Sequence, residues 1–206
     1  MSTLLSKYFT LTENQERQFL ALGSLYPEWN AKINVISRKD IDNLYEHHIL
    51  HSLAIAKVLN FKQGTTILDV GTGGGFPGIP LAILFPDVSF LLIDSVGKKV
   101  KVAMEVAGAA GLTNVQCLQT RVEEVKQTFD FVVSRAVMPL PDLVRLTKKN
   151  ISKQQRNALP NGLICLKGGN LTDEIKPFKN IAEVFELSQF FEEDYFKTKK
   201  AIYLPM

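Results

Sequence analysis

Residues 69–78 read Asp69-Val-Gly71-Thr-Gly73-Gly-Gly75-Phe76-Pro77-Gly78. Glycines at alternate positions let a backbone turn tightly after a strand and let a ligand approach with no Cβ in its way. Dinucleotide-binding folds use similar loops for the same reason, so the glycines alone leave the ligand open. Two details narrow the choice. The third glycine of a dinucleotide fingerprint would fall at position 76, which is Phe76. Asp69, two positions before the first glycine, suits a ligand with a cationic amino group and would repel a pyrophosphate. S-adenosylmethionine, which carries an ammonium and a sulfonium, meets both conditions.

Three further positions fit such a ligand. Asp94 closes the apolar run Leu91-Leu92-Ile93, nineteen residues after Gly75. A carboxylate there can accept hydrogen bonds from both ribose hydroxyls of an adenosine. Capping of the next helix is the competing role for Asp94, and its pairing with the glycine loop favours binding. At Arg121-Val122-Glu123 an adenine ring can meet backbone amides and the Val122 side chain, while Glu123 serves equally well as a solvated acid at a helix start. Arg135 ends the run Phe129 to Ser134, at the strand end where open α/β sheets bind ligands.

These residues need strands and helices to position them. Apolar runs at 66–70, 88–93, 114–118, 129–134 and 162–167 read as buried strands. Helical stretches lie between them, from Pro77, over 98–110 with Gly111 as a C-terminal cap, and over 139–149. Strands alternating with helices imply a mostly parallel sheet covered on both faces. Two more strands, at 182–190 and 199–204, have no room for a helix between them and are expected to pair antiparallel. Thr12-x-x-Gln15 is a capping box opening a helix expected to end near Pro27, and a second helical region spans about 40–59. The reading is therefore a doubly wound α/β sheet of seven strands over residues 63–206, with a helical N-terminal extension over 1–62.

The sequence has 206 residues, 46% hydrophobic and 22% charged, with a net charge of +3. That composition belongs to a folded domain of ordinary size, and its mild basicity permits a polyanionic partner. No stretch is apolar for long enough to span a bilayer, and the N-terminus turns polar too early for a secretory signal, so a cytoplasmic protein is expected. Cys117 and Cys165 lie inside apolar runs and read as buried strand thiols. His47 and His51 are one helical turn apart, but no acidic third ligand sits at a metal-site spacing, so no metal is expected and the three histidines His47, His48 and His51 are left to packing or RNA contact. Lys98, Lys99, Arg145 and Lys167 are candidate contacts to RNA phosphates, with a solvated helix face as the alternative for the first two.

The run DVGTGGGFPGIPLAILFP, followed by LLIDSVGKKVKV, NVQCLQTRVEE and FDFVVSRAV, resembles the bacterial 16S ribosomal RNA guanine-N7 methyltransferase family, also known as glucose-inhibited division protein B. The resemblance extends to Trp29-Asn30, Ile33-Asn34, His48 to Leu53, and Leu166-Lys167-Gly168-Gly169. It implies a class I, Rossmann-like fold and methyl transfer from S-adenosylmethionine to guanine N7 near the decoding site of 16S RNA, free or within the small-subunit particle. It also implies cofactor contacts at Gly71, Phe76, Val122, Glu123 and Arg135. His51 departs from the family, which usually has Asp there, and Lys199-Lys200 stands where an Arg-His pair is common.

The residues agree with that chemistry. Methyl transfer from a sulfonium is an in-line displacement, to which a protein contributes mainly proximity and alignment. Amine methylation commonly uses an acidic or amide residue followed by Pro-Pro-aromatic after the fourth strand, where this chain has Ser134-Arg135-Ala136. Carbon methylation of cytosine needs an exposed nucleophilic cysteine. Guanine N7 carries a free lone pair and no proton, so it needs no general base, and Arg135 is assigned to positioning. A nicotinamide-dependent oxidoreductase and a non-catalytic RNA-binding module are the alternatives. Phe76 and the lack of an evident proton donor weigh against the first, and the intact loop with Asp94 weighs against the second.

Overall fold

A computed structural model describes residues 2–206 except Ala136, with side chains from Leu4 onward. Helix α1 (Ser2–Ser6) leads into α2 (Glu13–Lys32). Thr12 accepts from the Gln15 N–H while the Gln15 side chain accepts from the Thr12 N–H, the reciprocal cap expected from the sequence. The Gln15 amide also donates to the Ile83 and Leu84 carbonyls and so ties the helix start to the domain.

Helix α2 does not stop near Pro27 but continues to Lys32. A proline inside a helix costs about 3 kcal/mol through a missing hydrogen bond and a steric clash. Phe19, Leu22, Tyr26 and Asn30 recur three or four apart and are all buried. Burying the three apolar members, at about 1.5–3 kcal/mol each, outweighs that cost. Residues 40–59 are helical but do not form one α-helix. A 3₁₀ turn (Ile41–Asn43) is followed by a π-helical stretch (Leu44–Leu50), then α3 (His51–Leu53) and α4 (Ile55–Val58). A π turn takes in an extra residue and rotates the residues after it relative to α spacing.

The strands are β1 (Thr66–Val70), β2 (Ser89–Asp94), β3 (Val115–Gln119), β4 (Phe131–Arg135), β5 (Gly162–Gly168), β6 (Glu183–Glu186) and β7 (Lys199–Pro205). The connections contain α5 (Gly78–Leu84), α6 (Gly97–Ala109), α7 (Leu140–Thr147) and α8 (Thr172–Ile175). They form one sheet in the order β3-β2-β1-β4-β5-β7-β6. Strands β1 to β5 pair in parallel, and β7 runs antiparallel to both of its neighbours. The strand expected over 182–190 is shorter, because after Glu186 the chain turns inward to bury Leu187, Phe191 and Phe196 instead of continuing along the sheet edge.

Both faces of the sheet are covered. Ile67, Phe131 and Ile164 share a core with Phe19, Leu22 and Tyr26 of α2, Ile49 and Leu53 of the following turns, and Ile79 of α5. The N-terminal helices thus pack into the same core as the sheet. On the other face Leu68, Val132 and Leu163 pack with Leu140 and Leu143 of α7. Strand order reverses between β1 and β4, whose C-terminal ends lie side by side with Val70 opposite Ser134. Ligands bind open α/β sheets at such a reversal.

Candidate active site

The glycine loop leaves β1 at this reversal. Gly71, Gly73 and Gly75 adopt φ values of 69°, 57° and 111°, which L side chains rarely take. The Thr72 N–H donates to the Ile93 carbonyl, and the Gly75 and Phe76 N–H groups return to the Thr72 carbonyl, so the loop folds back on the strand ends. A Cβ on Gly73 would meet no protein atom within 4 Å. On Gly75 it would collide with the Ile79 side chain. Gly73 therefore borders open space, while Gly75 is needed for packing behind the loop.

That open space is a cleft of about 600 Å³. Its wall brings together Gly71 and Gly73 from the loop, Asp94 from the end of β2, Val122 and Glu123 after β3, and Arg135 from the end of β4. Asp94 accepts from the Gly73 N–H at 3.0 Å and from the Val96 N–H at 2.8 Å. The second bond is local and cap-like, and the first joins the loop to β2. Each carboxylate oxygen keeps a further lone pair for a ligand hydroxyl. Val122 is buried and gives the cleft an apolar surface beside the exposed Glu123, whose carbonyl is taken by Lys149 Nζ.

Three residues expected to touch the ligand stand behind the cleft wall. Asp69 is completely buried, and its Oδ2 accepts from Thr72 Oγ1 at 2.7 Å and from the Gly78 N–H at 2.8 Å. It shapes the loop from inside, because a carboxylate at the end of a central strand is covered by the helix packed over it. Burial pushes its carboxyl up to about 7 against the opposing hydrogen bonds from Thr72 and Gly78. Gly75 is buried as well, and the Phe76 ring stacks on Tyr26 with centroids 4.6 Å apart. Tyr26 in turn donates to the Gly74 carbonyl.

Arg135 borders the cleft with its guanidinium 5.0 Å above the Phe76 ring. It donates to the His47 carbonyl at 3.2 Å and meets His48 Nδ1 at 3.1 Å. Asp40 lies behind the histidines, with Oδ1 2.6 Å from His47 Nδ1 and Oδ2 2.7 Å from His48 Nε2. Tyr195 donates to the same His47 carbonyl and stacks on the His47 ring at 3.9 Å. Burial, then the Arg135 charge, holds the His48 imidazole down at about 4 and pushes His51 well below the ordinary histidine range. Among the described residues no group of three His, Cys, Asp or Glu side chains is placed to hold a metal. Ala136, next to Arg135, lies outside the described residues.

Sequence reasoning missed Asp40, Tyr26 and Tyr195 as supports of this wall. Asp40 reads as an ordinary helix-start acid, and only the π-helical turn brings both adjacent histidines onto it. Asn30, in the Trp29-Asn30 segment, accepts from the Val35 and Ile36 N–H groups and donates to the Ile36 carbonyl. It thereby holds the turn whose Val35 packs against Gly74.

The basic candidates separate. Lys99 borders the cleft, and Lys98 and Lys99 with Lys32 and Lys101 flank a neighbouring groove. Arg145 is exposed and pairs with Asp142 at 3.2 Å. Lys167 is not available to RNA. Its side chain is 9% exposed, and Nζ pairs with Glu174 at 2.6 Å and donates to the Met138 carbonyl. It sits at the end of an inner strand, where burial requires a partner, and it holds the segment after β4 that rims the cleft.

The family described as rRNA small subunit methyltransferase G matches residues 15–200. The chain belongs to this family. Relatives named ribosomal RNA small subunit methyltransferase G are similar over almost the full length. The protein of Bacteroides thetaiotaomicron is 65% identical over 97% of this chain and 98% of its own. That of Porphyromonas gingivalis is 63% identical over 98% and 93%, and that of Christiangramia forsetii 56% over 98% and 96%. Among solved structures, a SAM-dependent methyltransferase from Aquifex aeolicus aligns with a TM-score of 0.55 at 20% identity, covering 82% of this chain and 98% of its own. A precorrin-6y C5,15-methyltransferase from Geobacter metallireducens aligns with a TM-score of 0.58 at 10% identity, covering 84% and 92%. These structures share the doubly wound fold. The family named by its members is the one that the loop and strand-end motifs resemble.

Proposed function

We propose that the protein transfers the methyl group of S-adenosylmethionine to N7 of a guanine in 16S ribosomal RNA, as free RNA or in the small-subunit particle, in the cytoplasm. One observation carries the reading. At the sheet reversal a single cleft gathers Gly73, Asp94, Val122 and Arg135, within a chain of the rRNA small subunit methyltransferase G family. The open space beside Gly73 suits a ligand that approaches backbone closely, and the Asp94 carboxylate suits a ribose diol. When bound, S-adenosylmethionine supplies an electrophilic methyl group on its sulfonium. Gly71 and Gly73 give it a surface without side chains, Val122 gives its base an apolar face, and Arg135 stands at the β4 end where the acceptor enters.

Guanine N7 loses no proton when it is alkylated, so the residues need to align two partners rather than move a proton. The cleft wall fits that requirement, because its nearest imidazole, His48, stays neutral and occupied with Arg135 and Asp40 at physiological pH. Lys98, Lys99 and the exposed Arg145 are assigned to the RNA backbone, whose contacts position without reading sequence. We assign residues 63–206 to the methyltransferase domain and 1–62 to a helical extension packed on it. Among the described residues no helix is long and apolar enough to cross a membrane. Mapping of methylated bases in 16S RNA from cells with and without the protein tests the proposal. Loss of one N7-methylguanine is expected, and an unchanged map, or loss of an amine or carbon methylation, would overturn it.

A further inference from the structure

Arg135 is a cation in the cleft wall with no carboxylate at ion-pair distance among the described residues, and what orients it comes from the N-terminal extension. Two of the five N–H donors of a guanidinium are used on the protein, one on the His47 carbonyl and one on His48 Nδ1. The others have no acceptor among the described residues, and Arg135 is one of the residues that line the cleft. For His48 Nδ1 to accept from Arg135, its lone pair must be free, so the ring proton must sit on Nε2. Asp40 Oδ2 lies 2.7 Å from that Nε2 and accepts the hydrogen bond it donates. The other oxygen of Asp40 is held by His47 Nδ1 at 2.6 Å. The carboxylate thus has its direction set by two rings, and the order carboxylate, imidazole, guanidinium runs unbroken to the cleft.

We propose that Asp40 and His48 are positioning residues for methyl transfer, fixing the orientation of the Arg135 guanidinium at the cleft wall. The guanidinium carbon lies 5.0 Å from the centre of the Phe76 ring, and the bond to His48 Nδ1 restrains the group's rotation there. The groups suited to the adenosine part of the cofactor lie at the ends of β1, β2 and β3, whereas Arg135 ends β4, on the far side of β1 from β2 and β3. Of the neighbouring groups, Tyr195 donates to the His47 carbonyl and lies 3.1 Å from His51 Nδ1, and neither side chain bonds the His48 ring. The inference rests on the reading of the cleft as a methyl-transfer site.

The test combines nitrogen NMR of the histidine rings in the full-length protein with single-turnover methylation of 16S RNA by Asp40→Ala, Asp40→Asn, His48→Phe and His48→Asn variants. In the wild type, the His48 ring should be a neutral tautomer protonated on Nε2, and in Asp40→Ala a mixture of tautomers. Asp40→Ala and His48→Phe should lower the rate at saturating cofactor on the order of tenfold or more, the usual effect of losing an orienting partner. The melting temperature should change little in the same two variants. Asp40→Asn keeps an acceptor for Nε2–H, and His48→Asn keeps one near Nδ1, so both should recover part of the rate. Equal losses of rate, cofactor affinity and melting temperature in all four variants would reduce the pair to a structural role and overturn the proposal. A wild-type ring protonated on Nδ1 would overturn it too. If the wild type methylates no RNA, the functional reading falls, while the tautomer comparison still decides whether Asp40 and Arg135 set the ring.

Discussion

Replacing Asp69 by Asn should make the protein less sensitive to rising pH. Asp69 has no exposure, and its Oδ1 has no hydrogen-bond partner. In the unfolded chain its carboxyl ionises near 3.8, and in the folded protein burial pushes it up to about 7. The folded state therefore holds the proton more tightly than the unfolded state does. The resulting stabilisation is complete below the unfolded value and is lost as pH rises toward the folded one. Integrated from about pH 4.5 to 7.5, those two values give a loss of about 3 kcal/mol. The Asp69→Asn side chain can still accept from Thr72 Oγ1 and the Gly78 N–H through its amide oxygen, and it carries no charge to bury. Thermal unfolding of both proteins across this range isolates the effect, because all other carboxylates titrate in common. The gap in Tm between variant and wild type should move in the variant's favour by about 6–12 °C between the two ends, at about 2–4 °C per kcal/mol for a chain of this size. A gap that stays constant with pH would show that Asp69 is solvated or paired in the folded protein, and the account of the loop interior would fail.

Gly73→Val should leave the protein folded, at about 1–2 kcal/mol of backbone strain, and abolish S-adenosylmethionine binding, because the added side chain meets no protein atom and enters the cleft. Calorimetry that finds undiminished affinity in the folded variant would remove the cofactor from this loop. Asp94→Ala should weaken the same binding by about 1–3 kcal/mol, the size of charge-assisted hydrogen bonds lost from a ribose, and an unchanged Kd would reassign Asp94 to capping Val96 alone. In an Asp69→Asn background, where the loop carboxyl no longer titrates at about 7, the single-turnover rate should be nearly flat between about pH 6.5 and 8.5, because His48 titrates at about 4 and Arg135 stays charged. Arg135→Ala should lower the rate without introducing a slope, and Arg135→Lys should recover little of it. A rate that rises tenfold per pH unit would point to base catalysis. Lys98→Ala and Lys99→Ala should each lower the salt dependence of RNA binding by about 0.7–0.9 in log–log slope. Lys167→Ala should lower Tm and leave that slope unchanged, and the reverse pattern would contradict its burial against Glu174.

The parts of this protein determined locally were legible in its sequence. Thr12 and Gln15 define a helix start within four residues, and the strands of the sheet core announce themselves as short apolar runs between helical stretches. The loop from Gly71 to Gly75 reads directly because a backbone at positive φ admits few residues other than glycine. The positions of Asp94 and Arg135 at strand ends were legible because a parallel strand's C-terminal end follows directly on its apolar run. What the tertiary structure decided depends on partners far apart in the chain. The stripe of Phe19, Leu22 and Tyr26 buries enough surface to carry α2 through Pro27, against the local preference to stop. Lys167 looks like any cation at a strand end until Glu174 and the Met138 carbonyl close over it. Asp69 reads as a ligand contact, and covering by α5 turns it into a buried support of the loop. Asp40 is 95 residues from Arg135 in the chain, and no periodicity links them. Their connection through His48 exists because the sheet and the N-terminal helices share one core, which holds the π-helical turn against the end of β4.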